Sequence, residues 1–141
     1  MKDVVRAAVK NARQAVDAFY EKTGRRAYVA LDMGPTGKLL KPMGDLEFEE
    51  ACSLFGEVAE TGEQAGADCI IIETMSDGYE TKAAVLGAKE HSGLPVFVTM
   101  TFDEKGKLLT GGNPASAVAL LEGLGVDVLG INCGLGPVQM K

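Results

Sequence analysis

Gly130-Ile131-Asn132-Cys133-Gly134-Leu135-Gly136-Pro137 is where a short apolar strand, Val126 to Ile131, runs into a polar pair and is then broken by glycines and a proline. A thiol at the C-terminal end of a parallel strand sits at the end of a β/α barrel that carries chemistry. The glycines let the backbone turn away tightly and leave the sulfur in the mouth rather than under a helix. Cys133 then has two readings. It is either a small hydrophobe packed at a strand end, or a thiolate acting as ligand or nucleophile with partners supplied upstream.

Upstream, the chain repeats one pattern. Val5, Ala8, Val9, Ala12, Val16 and Phe19 recur at three- and four-residue steps, which predicts an amphipathic helix from about Asp3 to Glu21, stopped by Gly24. Ala27-Tyr28-Val29-Ala30-Leu31 reads as a buried strand that ends at Asp32. Asp45 is the expected N-cap of the next helix, with an apolar stripe of Phe48, Ala51, Cys52, Phe55, Val58, Ala59 and Gly62. Ala65-Gly66-Ala67-Asp68 leads into the strand Cys69–Ile72, closed by Glu73 and Thr74. Asp77 with Glu80 suggests a capping box opening a helix to about Lys89. Val96–Met100 is the third strand. Asn113 caps a helix with Pro114 at its first position and Val118, Leu121 and Leu124 on its buried side. Gly125-Val126-Asp127 repeats the earlier Gly66-Ala67-Asp68 and delivers the last strand.

Four strands separated by helices at roughly 30 to 40 residues match the pitch of a (β/α)8 barrel, about 250 residues over eight units. Apolar runs rather than alternation imply a parallel sheet covered on both faces. The fold class is therefore α/β, built of parallel (β/α) units. Four strands do not close a barrel, and the sequence reaches Lys141 where a further helix is expected. An open sheet and half of a TIM barrel both remain. The half-barrel is the expectation, with its lining face needing a partner, either a second copy or the missing part of the barrel.

The 141 residues suffice for one ordinary domain with a core. A formal charge of -6 without a Lys/Arg cluster argues against nucleic acid and anionic membrane as partners. No apolar run has the length to span a bilayer. Cys52, Cys69 and Cys133, odd in number and widely spaced, form neither a disulfide framework nor a zinc knuckle, which points to a reducing cytoplasm. Cys52 and Cys69 read as core residues, and the run Glu47, Glu49, Glu50 as a solvated face. His91, the sole histidine, suits a helix C-terminus. Gly34-Pro35-Thr36-Gly37-Lys38 is not a phosphate loop, because Asp32 and Leu39 stand where that pattern requires Gly and Ser or Thr.

These motifs carry a resemblance. Gly130 to Pro137 resembles the zinc-thiolate segment of homocysteine S-methyltransferase domains. Ile72-Glu73-Thr74-Met75-Ser76-Asp77, followed by Glu80, Lys82, Ala83 and Ala84, is similar to the family segment that carries a substrate-contacting Glu. Asp32 to Gly37, Pro42 to Asp45, Val98 to Phe102 and Thr110-Gly111 resemble the subgroup found in cobalamin-dependent methionine synthases. The resemblance implies a barrel in which zinc, held by three cysteines, binds homocysteine as its thiolate for methyl transfer from a methylated corrinoid. It assigns Cys133 to the metal and Glu73 to the substrate ammonium, the alternative for Glu73 being a solvated rim charge or a partner for a loop Lys. Asn132 either contacts substrate or orients the Cys133 loop. The adjacent Cys-Cys pair that completes the family's zinc site is absent, as is its opening Asp-Gly strand. Residues 1–141 are thus expected to be the barrel from about its third to its sixth strand, and inactive alone. Zinc would be incompletely held, and cobalamin would sit on a module not present.

Two other classes compete. One is a self-associating half-barrel without metal or turnover. The other is an enzyme that uses Cys133 as a nucleophile, for which no histidine is placed to act as base.

Overall fold

Helix α1 (Lys2–Thr23) opens the computed structural model, which describes residues 1–140. It ends where Gly24 adopts a left-handed φ of 69° and its N–H donates to Tyr20 O. Only Val9 is buried, while Val5, Ala12 and Val16 pack partly against the core and Phe19, expected on the same stripe, is exposed.

Strand β1 (Ala30–Met33) starts three residues later than the apolar run suggests, and Tyr28 and Ala30 are exposed. Pairing explains the shift: the ladder to the next strand begins at Ala30↔Cys69. Helix α2 (Phe48–Ala65) follows an N-cap at Glu47, not Asp45, with no side-chain cap bond. Asp45 is held outside the helix because Leu46 closes a tight loop back onto Leu40, with Lys41 N donating to Leu46 O at 2.9 Å. Leu40, Leu46, Ala51 and Ala83 form a small second core beneath that loop.

Strand β2 (Cys69–Met75) and helix α3 (Gly78–His91) follow. Asp77 caps α3 by accepting from Tyr79 N at 2.8 Å. The expected capping box does not form: Glu80 is 3 % exposed and turns to the β1–α2 loop, where it accepts from Thr36 N at 2.8 Å and Thr36 Oγ1 at 2.6 Å. Strand β3 (Val96–Met100) has the expected bounds. Helix α4 (Pro114–Gly123) is capped by Asn113, and Ser116 returns the bond to Asn113 N, which completes a capping box. Its buried residues are Ala117 and Leu121, with Val118 exposed. Strand β4 (Val128–Ile131) ends the sheet.

All strands are parallel, in the order β1-β2-β3-β4. An order that never reverses, with helical crossovers, is the progression of a barrel rather than of a doubly wound sheet. The chain is α/β, four parallel (β/α) units amounting to half a TIM barrel. Two strand starts are fixed in the same way. Asp68 and Asp127 accept from Val29 N and Val96 N with their carboxylates, and donate their own N–H groups to the carbonyls of the same residues.

Burial alternates along β1, β3 and β2 up to its last residues instead of being continuous, while β4 has no fully buried residue. Leu31, Met33, Ile70, Ile72, Val96, Val98 and Met100 face the helices and are buried, and a side chain such as Ile70 or Ile72 contributes about 1.5–3 kcal/mol there. The other face carries Asp32, Ile71, Phe97 and Val128 as one cross-strand row. No layer of described residues covers it, so the expectation of a sheet covered on both faces does not hold within this chain. α2 and α3 approach closely through small residues: a Cβ at Gly87 would lie 2.3 Å from Cys52 O.

Candidate functional site

The C-terminal ends of β2, β3 and β4 form one rim. Near its end β2 bulges. Ile72 pairs with Val98 and Met75 with Met100, so Glu73 and Thr74 together oppose Thr99. The extra residue puts Thr74 at φ 59°, a conformation that is costly for a β-branched side chain. Glu73 lies on the open face, half-buried, and makes no ion pair among the described residues.

Asn132 continues β4, its N–H donating to Met100 O at 3.1 Å. Its side chain reaches over β3 to the bulge. Oδ1 accepts from Thr74 N at 3.2 Å, and Nδ2 donates to Thr74 Oγ1 at 2.8 Å and to Cys133 Sγ at 3.4 Å. Thr74 N lies 3.4 Å from Thr99 Oγ1 as well. The amide orientation is fixed chemically, since only its oxygen can face a backbone N–H.

Cys133 is exposed and, like Thr74, left-handed, at φ 56°. The chain then passes tightly over the β3–α4 loop: a Cβ at Gly134 would lie 2.5 Å from Phe102 O. Close approach, rather than a positive φ, is what requires glycine there. A cleft of about 290 Å³ opens beside it, lined by Phe102, Ile131, Asn132, Gly134 and Leu135 among others.

The structure therefore brings Asn132 and Cys133 into direct contact, and joins Asn132 to the bulge that carries Glu73. The other cysteines lie elsewhere. Cys52 is half-buried on α2, where burial and then Glu90 push its thiol up. Cys69 was expected in the core but is half-buried on the open face at the start of β2, and its thiol too is pushed up, by burial and then Asp68. His91 closes α3 with Nδ1 3.0 Å from Gly87 O. No group of three His, Cys, Asp or Glu side chains that could hold a metal occurs among the described residues, and none of the described helices is long and apolar enough to cross a membrane. Sequence reasoning missed Glu80 and Thr110 as pins of the rim loops. Thr110 Oγ1 donates to Asp77 Oδ1 at 3.0 Å, and such pairs, 44 and 33 residues apart, leave no local pattern.

A half-cylinder of parallel β/α units with a thiol on its C-terminal rim places the chain among barrel-type domains. Residues 1–141 match the family model described as Homocysteine S-methyltransferase, and the chain belongs to that family. It is 36% identical over 135 residues to a methionine synthase of Mycobacterium leprae, and 34% identical over 146 residues to that of Mycobacterium tuberculosis. Those alignments cover 92% and 100% of this chain but 11% and 12% of the relatives, so it spans about a ninth of their length. The apo homocysteine methyltransferase MmuM from Escherichia coli superposes with a TM-score of 0.83 at 25% identity, over 99% of this chain and 51% of that one. Its metallated form superposes equally well at 23% identity, a likeness of fold.

Proposed function

We propose that this chain supplies the homocysteine-facing half of a homocysteine S-methyltransferase of the methionine synthase type, corresponding to about the third to sixth strands of the barrel. The observation that carries this reading is the rim itself, where one asparagine touches both the Cys133 sulfur and the bulge bearing Glu73. The family match and the mycobacterial methionine synthases support homocysteine as the substrate class; the donor in this reading is a methylated corrinoid.

In this reading Glu73 accepts from the homocysteine ammonium, a charge-assisted contact on a half-buried face. Cys133 is one sulfur ligand of a zinc site, and Asn132 belongs to the substrate end of the rim. Catalytic zinc takes three protein donors. The described rim offers a single thiol with an amide beside it, and Cys52 and Cys69 lie elsewhere, so this chain alone does not fit a resident zinc ion. The chain's own contribution is to hold Glu73 and the Cys133 sulfur on one exposed rim.

The test is a titration of the ¹⁵N-labelled chain with L-homocysteine, alongside zinc analysis after dialysis. Resonances at Glu73, Thr74 and Asn132 shift, and Glu73→Gln weakens binding about tenfold, the worth of a hydrogen bond to a charged group. Zinc is taken up weakly. An unmoved rim, or tight uptake of one zinc per chain, overturns the reading.

A second reading, a self-associating half-barrel without metal, draws on β4, where Val128, Leu129 and Ile131 are 48%, 38% and 42% exposed. A concentration-dependent dimer mass with no homocysteine response would favour it.

A further inference from the structure

We infer that Asn132 is a positioning residue: its amide clamps the left-handed Thr74 bulge and so holds Glu73 and Cys133 on one rim. The catalytic meaning of that rim rests on the proposed function above, whereas the clamp stands on geometry alone.

Three observations carry it. First, the amide is spent within the protein. Its two hydrogens go to Thr74 Oγ1 and Cys133 Sγ, and its oxygen accepts from Thr74 N. An asparagine has two side-chain N–H groups, so none is left to donate to a substrate carboxylate. Second, the residue it grips needs a grip. A threonine at φ 59° is in a sparsely populated conformation that persists only where its surroundings over-determine it. Here both its backbone N–H and its hydroxyl are taken by one side chain. Third, the reach is non-local. Asn132 follows β4 and Thr74 belongs to β2, with β3 between them. Neighbouring strands lie about 4.8 Å apart, so a single asparagine meets both only because the bulge raises Thr74 over Thr99. Without the amide, the bulge loses its partner on the β4 side, and Glu73, the residue before Thr74, loses its fixed direction.

The experiment is amide hydrogen exchange at Thr74, read by NMR in the chain and in Asn132→Ala, Asn132→Asp and Thr74→Gly, with unfolding midpoints for each and for Asn132→Ala combined with Thr74→Gly. Asn132→Ala speeds exchange at Thr74 about fivefold to tenfold, as expected for one hydrogen bond. Asn132→Asp keeps protection near native, because a carboxylate still accepts from Thr74 N and the threonine hydroxyl can reverse to donate. The stability lost in Asn132→Ala shrinks when Thr74→Gly is added, since glycine needs no support at positive φ. Equal losses in both backgrounds, or unchanged exchange in Asn132→Ala, overturn the clamp. If Asn132→Ala does not fold, recovery of folding by Thr74→Gly supports the clamp and failure to recover overturns it. Homocysteine titration separates the two claims. Binding that follows Thr74 protection, kept in Asn132→Asp and lost in Asn132→Ala, is the positioning result. Binding lost in Asn132→Asp while Thr74 stays protected makes Asn132 a substrate contact and overturns the inference. An unliganded native rim removes the proposed function and leaves the clamp to be judged by exchange.

Discussion

Asp68 grips Val29 at both backbone atoms: its N–H donates to Val29 O at 2.7 Å and its Oδ2 accepts from Val29 N at 2.7 Å. The same oxygen accepts from Arg13 Nη2 at 2.6 Å, and Arg13 also donates to Gly66 O, so one carboxylate joins α1, the start of β1 and the turn before β2.

That junction has a pH signature. The Val29 N–H holds the Asp68 carboxyl below its ordinary value of 3.8, with burial opposing and Arg13 adding to the effect. A lowered folded-state pKa gives stability that is complete above the unfolded value and is lost as pH falls through the folded one. Urea unfolding between pH 2 and 7 should show native and Asp68→Asn chains differing by about 1 kcal/mol near neutrality, the worth of a partly exposed charged hydrogen bond. The two should converge at the acid end. A constant gap across that range would mean the carboxylate is not the source.

Two glycines should respond oppositely. Gly87→Ala forces a methyl to 2.3 Å from Cys52 O, backbone that cannot step aside, and should cost about 1–3 kcal/mol by overpacking α2 against α3. Gly123, the last residue of α4, has open space around its Cβ position. Gly123→Ala should therefore stabilise by about 0.5–1 kcal/mol through helix propensity. Thermal midpoints of the two variants check both signs.

Glu80 ties the β1–α2 loop to α3. Glu80→Ala should free Thr36, raising exchange at its amide and lowering stability by about 1–3 kcal/mol. Glu80→Gln keeps a carbonyl acceptor and should lose less. Were Glu80 a helix cap instead, the increased exchange would appear at the start of α3 and leave Thr36 unchanged.

The cysteines should be modified in order. Cys133 is exposed, while Cys52 and Cys69 are half-buried with thiols pushed up by burial. The thiolate is the reacting form. Treatment with a disulfide reagent near neutral pH should give one fast equivalent and two slow ones, and Cys133→Ser should remove the fast phase.

Local patterns in the sequence sufficed for most elements. The three-and-four stripe of α1, the Asn113-Pro114 start of α4 and the apolar run Val96–Met100 each appear within a residue or two of where the letters put them. The errors arise where contacts outside the local helix or strand pattern decide the outcome, some of them close in the chain and some far apart. Asp45 is an ordinary helix cap by type, but Leu46 folds back onto Leu40 and leaves it outside. Glu80 stands at capping-box spacing from Asp77, yet a hydroxyl 44 residues earlier claims it. Tyr28 and Ala30 belong to an apolar run that reads as buried, but burial is decided by which sheet face the helices cover. At the rim, the Asn132-Cys133 pair was legible as a motif. The bulge at Thr74 was not, because a two-against-one pairing depends on the register of β3.

Asp68 and Asp127, just before β2 and β4, each hold the backbone at the start of the preceding strand. A segment that carries its own alignment key in a Gly-x-Asp turn can be copied, inserted or joined to a neighbour without rewriting the rest of the sheet. Gene duplication could therefore lengthen such an array one segment at a time, each new copy arriving already in step with its predecessor.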